Sequence, residues 1–355
     1  MNRINKLIIT ISIALSLAAC TKNETEPTIV VPAPSVSTLT LEGLIGAEDG
    51  AAAGNIVYVN LSTDTQSPVA RISWDLGFYA GANFRVILNN TTSAGALVLP
   101  KTNLTEVGES DTLNLTLSTN LRAPSAEHFT FFDNLNASIT STVIPEVSVT
   151  DTDNRVILLN RGTGGGIPAR PWLKFKVTRN TTGGYTLQYG TITQTTNFST
   201  VQIQKDPAYN FKFISLNTGS EVSVEPTKSD WDFVWGNSIY KTPGGVPLAY
   251  SYSDLVFINT FANIEVAEVM IAGNITYETF NTANLTSSSV TFSKDRDVIG
   301  ANWRTIDMNT RSILFDRFYV IKDAKGNTYK LRFNSFGGTE GGTRGKPVIQ
   351  YELLN

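Results

Sequence analysis

Side chains able to do chemistry are few in this chain. Its 355 residues include 1 His, 1 Cys and 3 Met. A Ser-His-Asp or Cys-His nucleophile system needs a histidine as base. His128 lies in Glu127-His128-Phe129-Thr130-Phe131-Phe132, and no Gly-x-Ser-x-Gly elbow exists to partner it. It reads as a surface or internally satisfied side chain. No Cys/His spacing for zinc and no Asp-rich calcium loop occurs. Carboxylates fall mostly in turn-like settings such as Asp151-Thr152-Asp153-Asn154, which read as solvated turns before they read as an acid–base pair. The Gly-rich stretches 162–166 and 337–345 lack the spacing of a phosphate cradle and read as long loops. The expectation is a protein that binds rather than one that turns over a substrate. Met270, between Val269 and Ile271, reads first as core filler. Met308, between polar Asp307 and Asn309, fits a core less well. Trp74, Trp231 and Trp235 read as buried indoles with paired N–H groups beside turn-capping Asp residues, with an exposed stacking platform as the alternative.

The elements that must position these residues are strands. Tyr329-Lys330-Leu331-Arg332-Phe333 alternates with period 2, as does Phe318-Tyr319-Val320-Ile321. The turn Lys325-Gly326-Asn327 joins the two as a hairpin, because Gly and Asn tolerate positive φ. Leu113-Asn114-Leu115-Thr116-Leu117 alternates in the same way and predicts another strand. Residues 262–271 fit one short helix or a strand equally well. No window carries a sustained helical stripe. With 28 Lys and Arg against 31 Asp and Glu, and no basic cluster, the chain lacks the footprint of nucleic-acid binding.

A repeat organises the chain. Ser73-Trp74-Asp75-Leu76 returns as Asp230-Trp231-Asp232-Phe233, and the apolar run Ile56-Val57-Tyr58-Val59-Asn60-Leu61 returns as Phe211-Lys212-Phe213-Ile214-Ser215-Leu216. The period is roughly one domain and too long for a solenoid unit. This predicts an all-β protein of two tandem homologous antiparallel domains, residues 36–200 and 201–355. Ahead of them, Arg3 and Lys6 precede an apolar run from Leu7 to Ala18, a signal-peptide pattern too short to span a bilayer. Residues 1–19 are thus expected to be a lipoprotein signal peptide, because Leu17-Ala18-Ala19-Cys20 resembles the bacterial lipobox. Cys20 is the expected lipidation site, and residues 20–35, rich in Thr, Glu and Pro, read as a flexible tether. Lipid and tether would hold the domains at a membrane without spanning it.

The second copy resembles the HmuY-like haem-binding lipoproteins of Bacteroidetes. The resemblance rests on Tyr209-Asn210-Phe211-Lys212-Phe213-Ile214-Ser215-Leu216, then Asp230-Trp231-Asp232-Phe233 and Asp254-Leu255-Val256-Phe257-Ile258-Asn259. Trp303, the hairpin sequence 318–331 and Val348-Ile349-Gln350-Tyr351 complete it. It covers residues near 205 to 355, and the region near 36 to 200 looks like a more diverged copy. It implies a non-enzymatic all-β lipoprotein of the outer membrane, facing outward, that takes up haem for iron acquisition and passes it to a membrane receptor. In the family's best-known members two His or two Met side chains hold the iron from opposite faces. This chain does not have two His, so the resemblance implies Met308, which stands five residues after Trp303 as a family ligand does, and Met270, the only other thioether once the signal peptide is removed. Arg304 would meet a propionate, and the first copy places Leu159 or a neighbour where Met308 falls. The competing expectation is an adhesion or ligand-binding lipoprotein with a protein or glycan partner, which keeps the fold without a haem site.

Overall fold

The computed structural model describes residues 36–119, 123, 125–135, 138–242, 246–307 and 310–354. The signal peptide, Cys20 and the tether therefore lie outside the described residues, as does Met308. No α-helix occurs among the described residues, which form strands joined by short 3-10 turns. In the first half the strands are β1 (Ser37–Thr40), β2 (Asn55–Asn60), β3 (Thr65–Ala70), β4 (Leu76–Tyr79), β5 (Val86–Leu88), β6 (Gly95–Val98), β7 (Ile157–Asn160), β8 (Leu173–Arg179) and β9 (Tyr185–Thr191). In the second they are β10 (Ser199–Ile203), β11 (Phe211–Ser215), β12 (Ser220–Val222), β13 (Phe233–Lys241), β14 (Ala249–Ile258), β15 (Glu265–Met270), β16 (Arg304–Ile306), β17 (Arg311–Ile313), β18 (Arg317–Lys322), β19 (Thr328–Ser335) and β20 (Val348–Leu353).

Four antiparallel sheets carry the architecture, and all four draw strands from both halves of the chain. The outer sheets run β1-β20-β19-β18-β15 and β10-β9-β8-β7-β6, and the inner sheets run β14-β13-β2-β3 and β12-β11-β4-β5. Hence β2 of the first half pairs with β13 of the second, and β11 of the second half pairs with β4 of the first. At the outer edges β1 pairs with β20, and β10 with β9. The packing units therefore do not follow residues 36–200 and 201–355. Each sandwich borrows three strands from the other half.

Side-chain alternation explains why the inner sheets are so apolar. Val57 and Val59 of β2 point into one sandwich core with Phe233, Trp235, Tyr319 and Leu331. Their neighbours Ile56 and Tyr58 point the other way, into a central layer with Phe211, Phe213, Trp74 and Trp231. The second sandwich core holds Leu76, Phe78, Leu159, Phe175 and Ile214. Successive residues of a strand face opposite sides, so a strand buried on both faces needs an unbroken apolar run, as β2 has in Ile56-Val57-Tyr58-Val59.

The β18–β19 hairpin forms as its sequence predicts, with Lys322 opposite Thr328. Asp323 Oδ1 accepts the Lys325 and Asn327 N–H groups at 2.8 Å each, and Gly326 sits at φ 89°, where an L side chain is strained. Residues 262–271 resolve as a 3-10 turn over Thr260–Ala262 followed by strand β15. Leu113–Leu117 is not a strand. Asn114 and Leu117 take positive φ, of 61° and 44°, and the preceding turn Glu109–Thr112 is closed by Asp111, whose Oδ2 accepts Gly108 N–H at 2.9 Å. The alternation there reflects a chain that turns, exposing Leu113 and burying Leu117.

Candidate functional site

Two matched stations join the halves, each built on a Trp-Asp pair. Asp75 Oδ2 accepts Leu216 N–H at 2.8 Å, and Asp232 Oδ2 accepts Leu61 N–H at 2.7 Å. The Asp75 N–H donates to Ile214 O and the Asp232 N–H to Val59 O. Asn89 Nδ2 donates to the carbonyls of Arg71 and Trp74, and Asn259 Nδ2 to those of Lys228 and Trp231. Trp74 packs edge-on against Phe213 at 4.8 Å, and Trp231 against Tyr58 at 5.0 Å. The aspartates thus tie distant strands together rather than capping local turns. The indoles are buried as expected, but the Nε1 of Trp74, Trp231 and Trp235 has no hydrogen-bond partner, against the expectation of paired N–H groups.

The two stations differ in charge. Asp75 is paired through both oxygens with Arg161, at 2.7 and 2.9 Å, with Arg170 beside it at 3.5 Å. Asp232 has no such arginine. Burial pushes its carboxyl up to about 7, against the pull of the Leu61 N–H. Glu225 also lies in the central layer; it accepts Phe211 N–H at 2.7 Å, and burial raises it to about 8. Nothing in the sequence neighbourhood of Asp75 announced Arg161, which lies 86 residues away.

Of the two residues expected to hold iron, Met270 is described, and it lies at the end of β15. Met270 ends β15 opposite Arg317 of β18 and is 46% exposed, so it is not core filler. Ile271 follows, with its N–H on Asp316 O at 2.8 Å, and Phe315 projects at 67% exposure from the turn into β18. The β16–β17 hairpin leads into that same turn. Trp303 anchors its base, stacked on Phe333 at 4.1 Å and donating to Asp254 O at 3.0 Å. At its tip Asp307 N–H donates to Thr310 O and Asp307 Oδ1 accepts Thr310 N–H, and the two residues between them are Met308 and Asn309, outside the described residues. Ile306, also exposed, stands just before the tip.

Arg304 does not face this surface. It is buried, donates to Ser253 O at 2.6 Å and is lowered by burial, so it is not placed to meet a propionate. His128 lies in a 3-10 turn over Ala126–Phe131, stacked at 6.3 Å on Phe131, away from the Met270 strand. Leu159 is fully buried on β7 in the core of the other sandwich and is no counterpart of a hairpin tip. Among the described residues no cluster of three or more His, Cys, Asp or Glu could hold a metal ion.

The thioether of Met270 fits haem iron in one respect, because an exposed soft donor flanked by exposed apolar side chains is the chemistry a porphyrin's axial position and face require. No curated protein matches the chain. The model of the HmuY protein family matches residues 207–351, most of the second half of the chain.

Proposed function

We propose that this chain is a haem-binding lipoprotein whose iron is held by Met270 and Met308. The observation that carries the proposal is the exposure of Met270 together with Ile271 and Phe315, within the segment that the HmuY family model matches. Bound haem supplies an iron with two axial positions open to protein donors. The chain's part is to supply the sulfurs and to cover the porphyrin faces with Ile271, Phe315 and Ile306. Capture and release, not turnover, is the expected action. Cys20 would carry the lipid that holds the protein at the outer membrane, from which haem passes to a membrane receptor.

We further propose that the two sandwiches descend from a tandem duplication in which each copy lends its first three strands to the other. The paired hydrogen bonds of Asp75 and Asp232, and of Asn89 and Asn259, support that reading.

The test is an absorbance titration of the purified mature chain with haem. A red-shifted Soret band is expected in the wild type, and it is lost or moved in Met270→Ala and in Met308→Ala. No Soret shift in the wild type would replace this reading by an adhesion or glycan-binding role.

A further inference from the structure

We propose that the central layer between the two inner sheets contains a second binding site, for a small uncharged single-ring aromatic molecule that carries an acceptor oxygen, such as a phenol or an aryl ketone. A cavity of about 130 Å³ lies there, bordered by Tyr58, Trp74, Phe213, Trp231, Phe257 and Phe261. A dry cavity of about 150 Å³ accepts benzene, so this one admits a single ring and excludes a porphyrin. Aromatic walls favour a flat ring through edge and face contacts.

The polar groups on the walls choose the ligand further. Trp74 and Trp231 are 3% and 7% exposed, both border the cavity, and neither indole N–H has a partner. Buried donors are nearly always paired, because one left without an acceptor bears the full cost of its lost hydration. Indole N–H groups can only donate, so the missing partner is an acceptor. The charged groups on the walls are already engaged. Asp133 accepts Leu88 N–H at 2.7 Å and Val143 N–H at 2.9 Å. Glu225 accepts Phe211 N–H, and burial keeps its carboxyl neutral at pH 7. The Arg296 guanidinium lies 3.9 Å from the Phe257 ring centre and donates to Leu135 O at 3.1 Å. No charge is left over to balance an ionic ligand. The rim includes the exposed residues Asn134 and Ser138, so the cavity is reached from solvent.

The experiment is isothermal titration of the haem-free mature chain with acetophenone and with toluene, which share a ring but differ in the acceptor. Acetophenone is expected to bind more tightly, by roughly two- to tenfold for each indole hydrogen bond gained. Trp74→Phe and Trp231→Phe keep a ring in place and remove a donor; each is expected to weaken acetophenone by that factor and leave toluene unchanged. Equal binding of the two ligands in the wild type, or no heat from either at millimolar concentration, overturns the proposal, and neither result needs a variant to fold. A loss of the haem Soret shift in the Trp variants would assign the cavity to the haem site and overturn it as well.

Discussion

The corresponding ends of the two sandwiches are built alike and finished differently. After β6, Leu99 N–H donates to Val156 O at 2.9 Å; after β15, Ile271 N–H donates to Asp316 O at 2.8 Å. Leu99 is 7% exposed, sealed in a cluster with Leu158 of β7 and with Leu104, Val107 and Leu117 from the long connection between β6 and β7. Ile271 is 38% exposed and its neighbour Met270 46%. The same backbone arrangement is thus closed in one sandwich and open in the other. Met270, Ile271 and Phe315, all exposed, lie in the sandwich that carries most of residues 207–351, the segment the HmuY family model matches. The two Trp-Asp stations show a parallel difference. One buried aspartate is paired with Arg161, and the other has no arginine partner and is raised to about 7, mainly by burial.

The largest effect concerns the exchange itself. A protease site placed in the turn 192–198 and cleaved should leave two fragments that co-elute on gel filtration, because β1·β20, β2·β13, β4·β11 and β9·β10 all pair across the cut. Fragments that separate without denaturant would mean that the strands are not exchanged.

The charge difference predicts unequal mutants next. Asp75→Asn leaves Arg161 buried without its partner and should cost about 3 kcal/mol in chemical denaturation. Asp232→Asn keeps an acceptor for Leu61 N–H and removes no partnered charge, so at pH 6 it should stay within about 1 kcal/mol of wild type. Equal losses would erase the distinction between the stations.

The pH dependence follows with its sign. Glu225 and Asp232 have folded-state values raised to about 8 and about 7. The folded chain keeps these protons at pH values where the unfolded chain has released them. Stability from this source is complete below the ordinary carboxyl range and is lost as pH rises toward 8. Melting temperature should therefore climb as pH is lowered from 8 to 6. Glu225→Gln, an uncharged isostere, should flatten part of that slope, gaining about 4 kcal/mol at pH 8 and about 1 kcal/mol at pH 5. A slope unchanged in this variant would remove Glu225 from the account.

The smallest effect is local. Gly326→Ala should cost about 1 kcal/mol, through positive φ alone, since a Cβ there meets nothing within 4 Å.

What could be read from the sequence was what is local. The all-β class and the β18–β19 hairpin follow from period-2 alternation and a Gly-Asn turn, both set within a few residues. The exchange was not legible, because Leu61 and Leu216 follow similar apolar runs, and either N–H would suit either aspartate. The Arg161–Asp75 pair and the unpaired indole N–H groups depend on residues far apart in the chain. Met270 looked like core because Val269 and Ile271 flank it. Its exposure is decided instead by what the segment between β15 and β18 leaves uncovered.

One measurement bears most directly on the reading that a single open end binds haem: the stoichiometry of a spectrophotometric haem titration at a protein concentration well above the dissociation constant. The account predicts a break at one haem per chain, removed by Met270→Ala. A break at two haems, or an unbroken line with the absorbance of free haem, would contradict it.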